Sequence, residues 1–353
     1  MTVAGALAGA PAGVVGVAPP VGAAPSVRTG RRPVAHRRLA VGVALLAVGA
    51  VASVFLGVAD VTPASLLADD GHARDLLLLS RLPRTAAILL AGSAAAVAGV
   101  VLQLLVRNRF VEPSTVGTTE SAQLGLLAVT VLAPAMPLPG KLAVAAATAV
   151  LGTLLFLAVL RAVPVRSGVT VPLVGLMLGG VIGAVTAFFA FQLDLLQTLG
   201  AWTTGDFSGV IAGRFELLWL VGALAVAVYL VADRFTVVGL GRDVATSLGL
   251  GYRGMLALGL GVVAVTSAVV VVVVGGLPFL GLVVPNVVSL LLGDNLRRTL
   301  PWVAVGGAGL VLVADVVARL VVFPFEVPIG AVMAVVGGAL FLWILLRRGT
   351  CAG

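Results

Sequence analysis

"TAAILLAGSAAAVAGVVLQLLV", residues 85–106, runs for 22 residues without a charge. As a helix it reaches about 33 Å, against about 30 Å of bilayer hydrocarbon. A helix apolar on every face belongs in lipid or in a large core. Arginines bracket it: "RLPR" at 81–84 on one side, "RNR" at 107–109 on the other. The stretch therefore reads as a membrane span with both ends marked.

Nine more mostly apolar stretches lie along the chain, near 39–58, 115–134, 142–160, 171–191, 215–232, 255–274, 279–293, 301–321 and 328–346. The 353-residue chain is 60% hydrophobic and 10% charged, with a mean hydropathy of +1.20. A water-soluble domain of this size needs more polar surface to cover its core. The expected fold is an all-α polytopic membrane protein of about ten transmembrane helices, with the lipid bilayer as solvent. The eighth stretch is short and carries Pro285, so the reading breaks it there and gives it a re-entrant lead-in over Gly275–Pro278. Irregular backbone at membrane depth must be buried in protein or line a cavity. No β-barrel alternation is present.

Residues 1–38 read as a disordered, basic cytoplasmic tail, 39–348 as the membrane domain and 349–353 as a short cytoplasmic tail. The run after Arg38 is long for a signal peptide, and no small-residue cleavage site follows it. Of the 22 positive residues, 16 fall in segments that are inner if the N-terminus is inside. The outer six are Arg74, Arg81, Arg84, Lys141, Arg214 and Arg319. This asymmetry predicts a multi-pass protein of the cytoplasmic membrane with both termini cytoplasmic. The arginines cluster between apolar runs, so they read as topology signals, and nucleic acid is not an expected partner.

Several chemistries are missing. The one lysine, Lys141, is followed by leucine, so no Gly-Lys-Ser/Thr phosphate loop exists. Cys351 is the single cysteine, and His36 and His72 are far apart in polar stretches, so no metal cluster is expected. Ionisable residues within the spans are few: Glu120, then Asp315 and Arg319 four apart on one helix face. No nucleophile–base pair is readable. The chain is therefore expected to catalyse no bond chemistry and to bind no cofactor. It reads as a path-forming body driven from outside itself.

A lever for that drive stands in the longest inner loop, "DRFTVVGLGRDVATSLGLGYRG", 233–254. Glycines 239 and 241 precede a helix-capable stretch over Arg242–Leu248, and Gly249 terminates it.

In order, "RLPRTAAILLAG", "RNRFVEPSTVGTTESAQLG", "WTTGDFSG", "ATSLGLGYR", "PFLGLVVPN", "ADVVARL" and "FEVPIGAVMAVVGG" resemble the permease subunits of iron-siderophore ABC importers, the FecCD-type family that includes the cobalamin permease. The resemblance runs from about Leu39 to Arg348. It implies a type II importer permease fold with inverted repeats. The partners it implies are a second permease subunit, two ATP-binding subunits, an extracytoplasmic siderophore-binding protein and a ferric siderophore, with ATP acting through the partner ATPase. The family's coupling segment falls on Gly241, Arg242, Asp243, Ala245, Ser247, Leu248 and Gly249. Its binding-protein docking arginines fall on Arg81, Arg84 and Arg319. Gln103, Trp202, Pro285 and Asn286 are the expected contacts of the translocation path. Three positions depart from the family's habit. Asn286 stands where histidine is frequent, Ser289 where arginine is frequent, and Arg109 where many members have proline. An ion-coupled carrier acting without an ATPase is the rival expectation, and the scarcity of mid-membrane carboxylates argues against it.

Overall fold

The computed structural model describes residues 32–56, 71–163 and 170–349, with side chains at all of these except 32–36, 344–345 and 347–349. Of the tail expected to be disordered over 1–38, residues 1–31 lie outside the described residues, as do the last four residues, whereas 32–38 belong to a helix. Residues 1–38 and Leu39–Gly353 are separate units.

Helix α1 (Arg32–Phe55) begins within the arginine-rich segment. Helix α2 runs from Gly71 to Val106 and includes a π turn at Leu77–Arg81. A 3-10 turn at Pro113–Val116 leads into α3 (Thr118–Leu132). Next come α4 (Leu138–Ala162), α5 (Thr170–Gln192) and the short α6 (Leu196–Thr203). Then α7 (Leu218–Leu230) bends by 69° into α8 (Ala232–Gly239), and α9 (Arg242–Ser247) follows. The chain closes with α10 (Tyr252–Val274), α11 (Leu280–Leu292), α12 (Leu296–Leu320) and α13 (Ile329–Gly349). No strand occurs among the described residues.

Each of the ten expected spans contains a helix. Six are long and apolar enough to cross a membrane alone, and the bent α7–α8 pair counts as a seventh. At 15 and 13 residues, α3 and α11 are too short to cross alone. Both are entered from non-helical segments that dip into the bundle.

Helix α2 is the hub. It packs on α7, α8, α10, α11 and α12, and 67% of its most apolar window is buried, against 17% for peripheral α1. Glycines permit the closest approaches. A methyl added at Gly99 meets the Gly281 carbonyl oxygen at 2.2 Å, and one added at Gly92 meets that of Gly307 at 2.8 Å. Without a hydrophobic drive between helices in lipid, such backbone contact is a main source of cohesion.

Pro285 does not break the eighth span, contrary to expectation: α11 passes through it. The proline cannot donate to the carbonyl four residues back, that of Gly281. The Gln103 side-chain amide donates to that oxygen instead, at 3.1 Å. The span is short because of its lead-in. Gly275 (φ 82°) and Phe279 (φ 63°) turn the backbone before Leu280.

Candidate functional site

Two cavities lie along α2, divided by a seam. The first, about 360 Å³, is lined by Ala95 and Ala98 of α2, Thr266 and Ser267 of α10, Gly183 and Thr186 of α5, and the polar side chains of Glu112, Ser114, Glu120 and Gln123. The second, about 340 Å³, lies nearer the C-terminal end of α2. Gln103, Arg107, Arg109, Pro285, Asn286, Ser289 and Asp294 help to line it.

The seam is made by the two re-entrant segments. The Glu112 carboxylate accepts from the Phe279 backbone N–H at 2.8 Å and from Ser114 Oγ at 2.6 Å. It thereby caps the entry to α11, where an anion is favoured. Gly281 sits against Gly99 and Glu112, and Gln103 holds its carbonyl. Glu112 is only 2% exposed, although it lies between two of the expected spans. Glu120 was singled out in the sequence, and it enters the same cavity, with Oε2 buried and lacking a partner.

Of the four expected path residues, Gln103, Pro285 and Asn286 come together in the second cavity. Trp202 is not among the lining residues of either, though Leu199 and Thr203 on the same helix line the first. The Trp202 carbonyl accepts from Gly276 N at 3.1 Å and from Gln123 Nε2 at 3.2 Å, which ties α6 to the lead-in of α11.

The three departures from the family's habit meet in space. Asn286 Nδ2 donates to the Arg109 carbonyl at 2.8 Å, and Arg109 Nη1 donates to Ser289 Oγ at 3.2 Å. Arg109 also pairs with Asp294 at 2.7 Å.

At the other end of α2, Asp315 is fully buried. Its Oδ1 accepts from Arg84 Nε at 3.1 Å and Nη2 at 2.8 Å, and its Oδ2 pairs with Arg319. Arg84 also pairs with Glu326 at 2.8 Å, and Arg319 donates to the carbonyls of Ser53 and Leu56. Arg81 donates to the Leu56 carbonyl as well. The expected docking arginines are thus gathered at one end. All three are engaged within the chain; Arg84 and Arg319 are buried, and Arg81 is the least buried.

The expected lever is a helix. Gly241 (φ 116°) starts α9 and Gly249 (φ 75°) follows it, both in backbone that favours glycine. Ala245 is buried under α9. Arg242, Asp243, Ser247 and Leu248 are exposed, Leu248 by 63%. Asp243 stands in the first turn, where a negative charge is favoured. Behind it, α8 packs on α2, α10 and α12, and Arg107 Nη2 reaches the Leu240 carbonyl at 3.4 Å. Contacts through α8 thus connect α9 to α2 and α12, which help to line the second cavity.

The FecCD transport family matches residues 42–347. The petrobactin import system permease protein FatD of Bacillus anthracis is 41% identical over 298 residues, covering 84% of this chain and 87% of its own. The ferric-anguibactin transport system permease protein FatD of Vibrio anguillarum is 42% identical over 271 residues, covering 77% and 86%. A solved metal-chelate type ABC transporter in an inward-facing conformation is similar in fold. Its TM-score is 0.74 at 23% identity, covering 88% of this chain and 99% of that one.

Proposed function

The chain belongs to the FecCD transport family, and from that premise we propose that it is the membrane-spanning permease subunit of an ATP-driven importer of ferric siderophores. Its relatives named for petrobactin and ferric-anguibactin transport favour that class of cargo. The chain forms a path and carries out no bond chemistry. ATP is hydrolysed on two partner subunits, and a second permease completes the path. An extracytoplasmic binding protein delivers the chelate. The multi-pass body sits in the cytoplasmic membrane with both termini inside.

The observation that carries the reading is α9. It is a short exposed helix, fixed between two glycines, with apolar Val244 and Leu248 outward and a firm mount on α8 behind. A partner ATPase that grips this helix moves α8 against α2 and α12, and the second cavity opens or closes. On the opposite end Arg81 meets carboxylates of the binding protein. Arg84 and Arg319 order that surface from within through Asp315. Exposed pairs of this kind contribute about 0.2–1 kcal/mol each and mainly orient the encounter.

The test is reconstitution with the partner subunits in vesicles. Ferric siderophores presented with the binding protein are expected to raise ATP hydrolysis several-fold and to be taken up. Uptake driven by a proton or sodium gradient, with no ATPase present, overturns the proposal in favour of an ion-coupled carrier.

A further inference from the structure

A third concavity lies on the outside of the bundle, away from both cavities. It is a groove of about 660 Å³ between α2, α7 and α12. Small residues hollow it out: Gly222, Ala223 and Ala225 on α7, Ser93 on α2 and Ala304 on α12. At Gly222 an added methyl meets Leu90 Cδ2, on the groove's own wall, at 2.8 Å. Ser93, the polar residue of its floor, donates its hydroxyl to the Leu90 carbonyl at 3.1 Å. The Ser93 proton is thus engaged within the floor, and most of the lining is apolar.

The rim is different at the end where α8 and α9 lie. Tyr229 closes the groove there and lies against Arg297, which pairs with Asp233. Arg298 and Arg234, the sequence neighbours of Arg297 and Asp233, are both exposed. These two segments thus hold three arginines and Asp233, while nearby Asp294 is paired with Arg109. The first turn of α12 adds the positive end of a 25-residue helix, with Asn295 Oδ1 accepting from Arg298 N at 3.1 Å. Basic pockets between spans at the cytoplasmic face suit anionic headgroups.

We propose that this groove holds an acyl chain of an anionic phospholipid whose headgroup phosphate sits on Arg298 and Arg234. The apolar floor takes the chain, the basic rim selects the headgroup, and Tyr229 marks the interface between them. A second copy of this chain fits less well. A two-fold contact brings the same patch of both copies together, and here that sets arginine against arginine. The inference rests on the membrane reading above but not on the cargo or on coupling. Neither chelate nor ATP enters its test, so the two can fail separately.

The full-length protein in mild detergent is titrated with phosphatidylglycerol and with phosphatidylcholine of the same acyl chains, and retained lipid is counted by native mass spectrometry. Tenfold or greater preference for phosphatidylglycerol is expected, since each free arginine favours the anion roughly fivefold. The Arg234→Gln/Arg298→Gln double variant is expected to bind both lipids alike. Ala223→Phe, which fills the groove, is expected to lose both; should it unfold, Ala304→Leu makes the same test. Parity in the unaltered protein overturns the headgroup assignment. Full retention of phosphatidylglycerol by a folded groove-filling variant overturns the place. Cross-linking between copies through Ala223→Cys in a Cys351→Ser background, with no lipid retained, replaces lipid with a second permease as the occupant.

Discussion

Asp315 has no exposed surface and serves two guanidinium groups, those of Arg84 and Arg319. Removing one member of a buried ion pair costs about 3–5 kcal/mol, because the remaining charge has no water to return to. Asp315→Asn keeps the shape and removes the charge. It is expected to lower the thermal midpoint of the detergent-purified protein sharply, and Glu326→Gln, whose side chain is 28% exposed, to lower it much less. Half of this network was legible in the sequence: Asp315 and Arg319 are four apart on one helix. Arg84 is 231 residues from Asp315, and no local pattern reports that pairing. Gln103 is a similar case. It was expected on the path, and the structure gives it a definite partner in the carbonyl that Pro285 leaves free. Gln103→Leu leaves that oxygen buried and unsatisfied, a cost of about 1–3 kcal/mol. Gln103→Glu is expected to fare no better, since it brings an acceptor to an acceptor. Thermal unfolding of both variants checks this.

Among the elements, α9 was the most legible, because glycine spacing and a capping pattern are local signals. The expected helix over 242–248 appears as Arg242–Ser247. The re-entrant segments were harder. Glycines at 275 and 276 announced the second one, but "RNRFVEPSTVG" reads equally well as an ordinary inner loop. Only its contact with Phe279, 167 residues away, shows that it enters the bundle. The coupling proposed for α9 is separable from folding. Leu248 is exposed and touches little of its own chain, so Leu248→Asp is expected to leave the thermal midpoint unchanged. If Leu248 anchors in a partner groove, the substitution weakens ATPase association about tenfold, the scale of one buried interface anchor. Gly241→Val acts differently. It imposes a side chain at φ 116°, at a cost of about 1–3 kcal/mol, and its Cβ meets the Arg107 guanidinium at 3.2 Å. It is expected to lower stability and coupling together, which a pull-down with the ATPase beside a melting curve separates from the Leu248 effect.

For the whole molecule, two cavities on either side of one seam bear on the proposed path. Glu112, Gly99, Gly281 and Gln103 close the space between them with backbone contacts and satisfied hydrogen bonds. Side-chain rotation alone does not open such a seam. The segment before α11 must withdraw from α2, or the 3-10 turn before α3 must move. Both short helices start at the seam and end at opposite faces of the bundle, so each is placed to shift along its own axis without breaking a full span. Nothing in the sequence conveys this, since it depends on two loops meeting at membrane depth. It can be read by chemistry. In a Cys351→Ser background, Thr203→Cys lies beside the first cavity and Ser289→Cys lines the second. In sealed vesicles holding the nucleotide-free assembly, a membrane-impermeant thiol reagent is expected to modify Thr203→Cys from one face only and Ser289→Cys from the other only. Adding ATP and the binding protein is expected to change the rates at both positions, because one moving seam bounds both cavities. Labelling of both cysteines from a single face before ATP is added means that the seam does not divide the path.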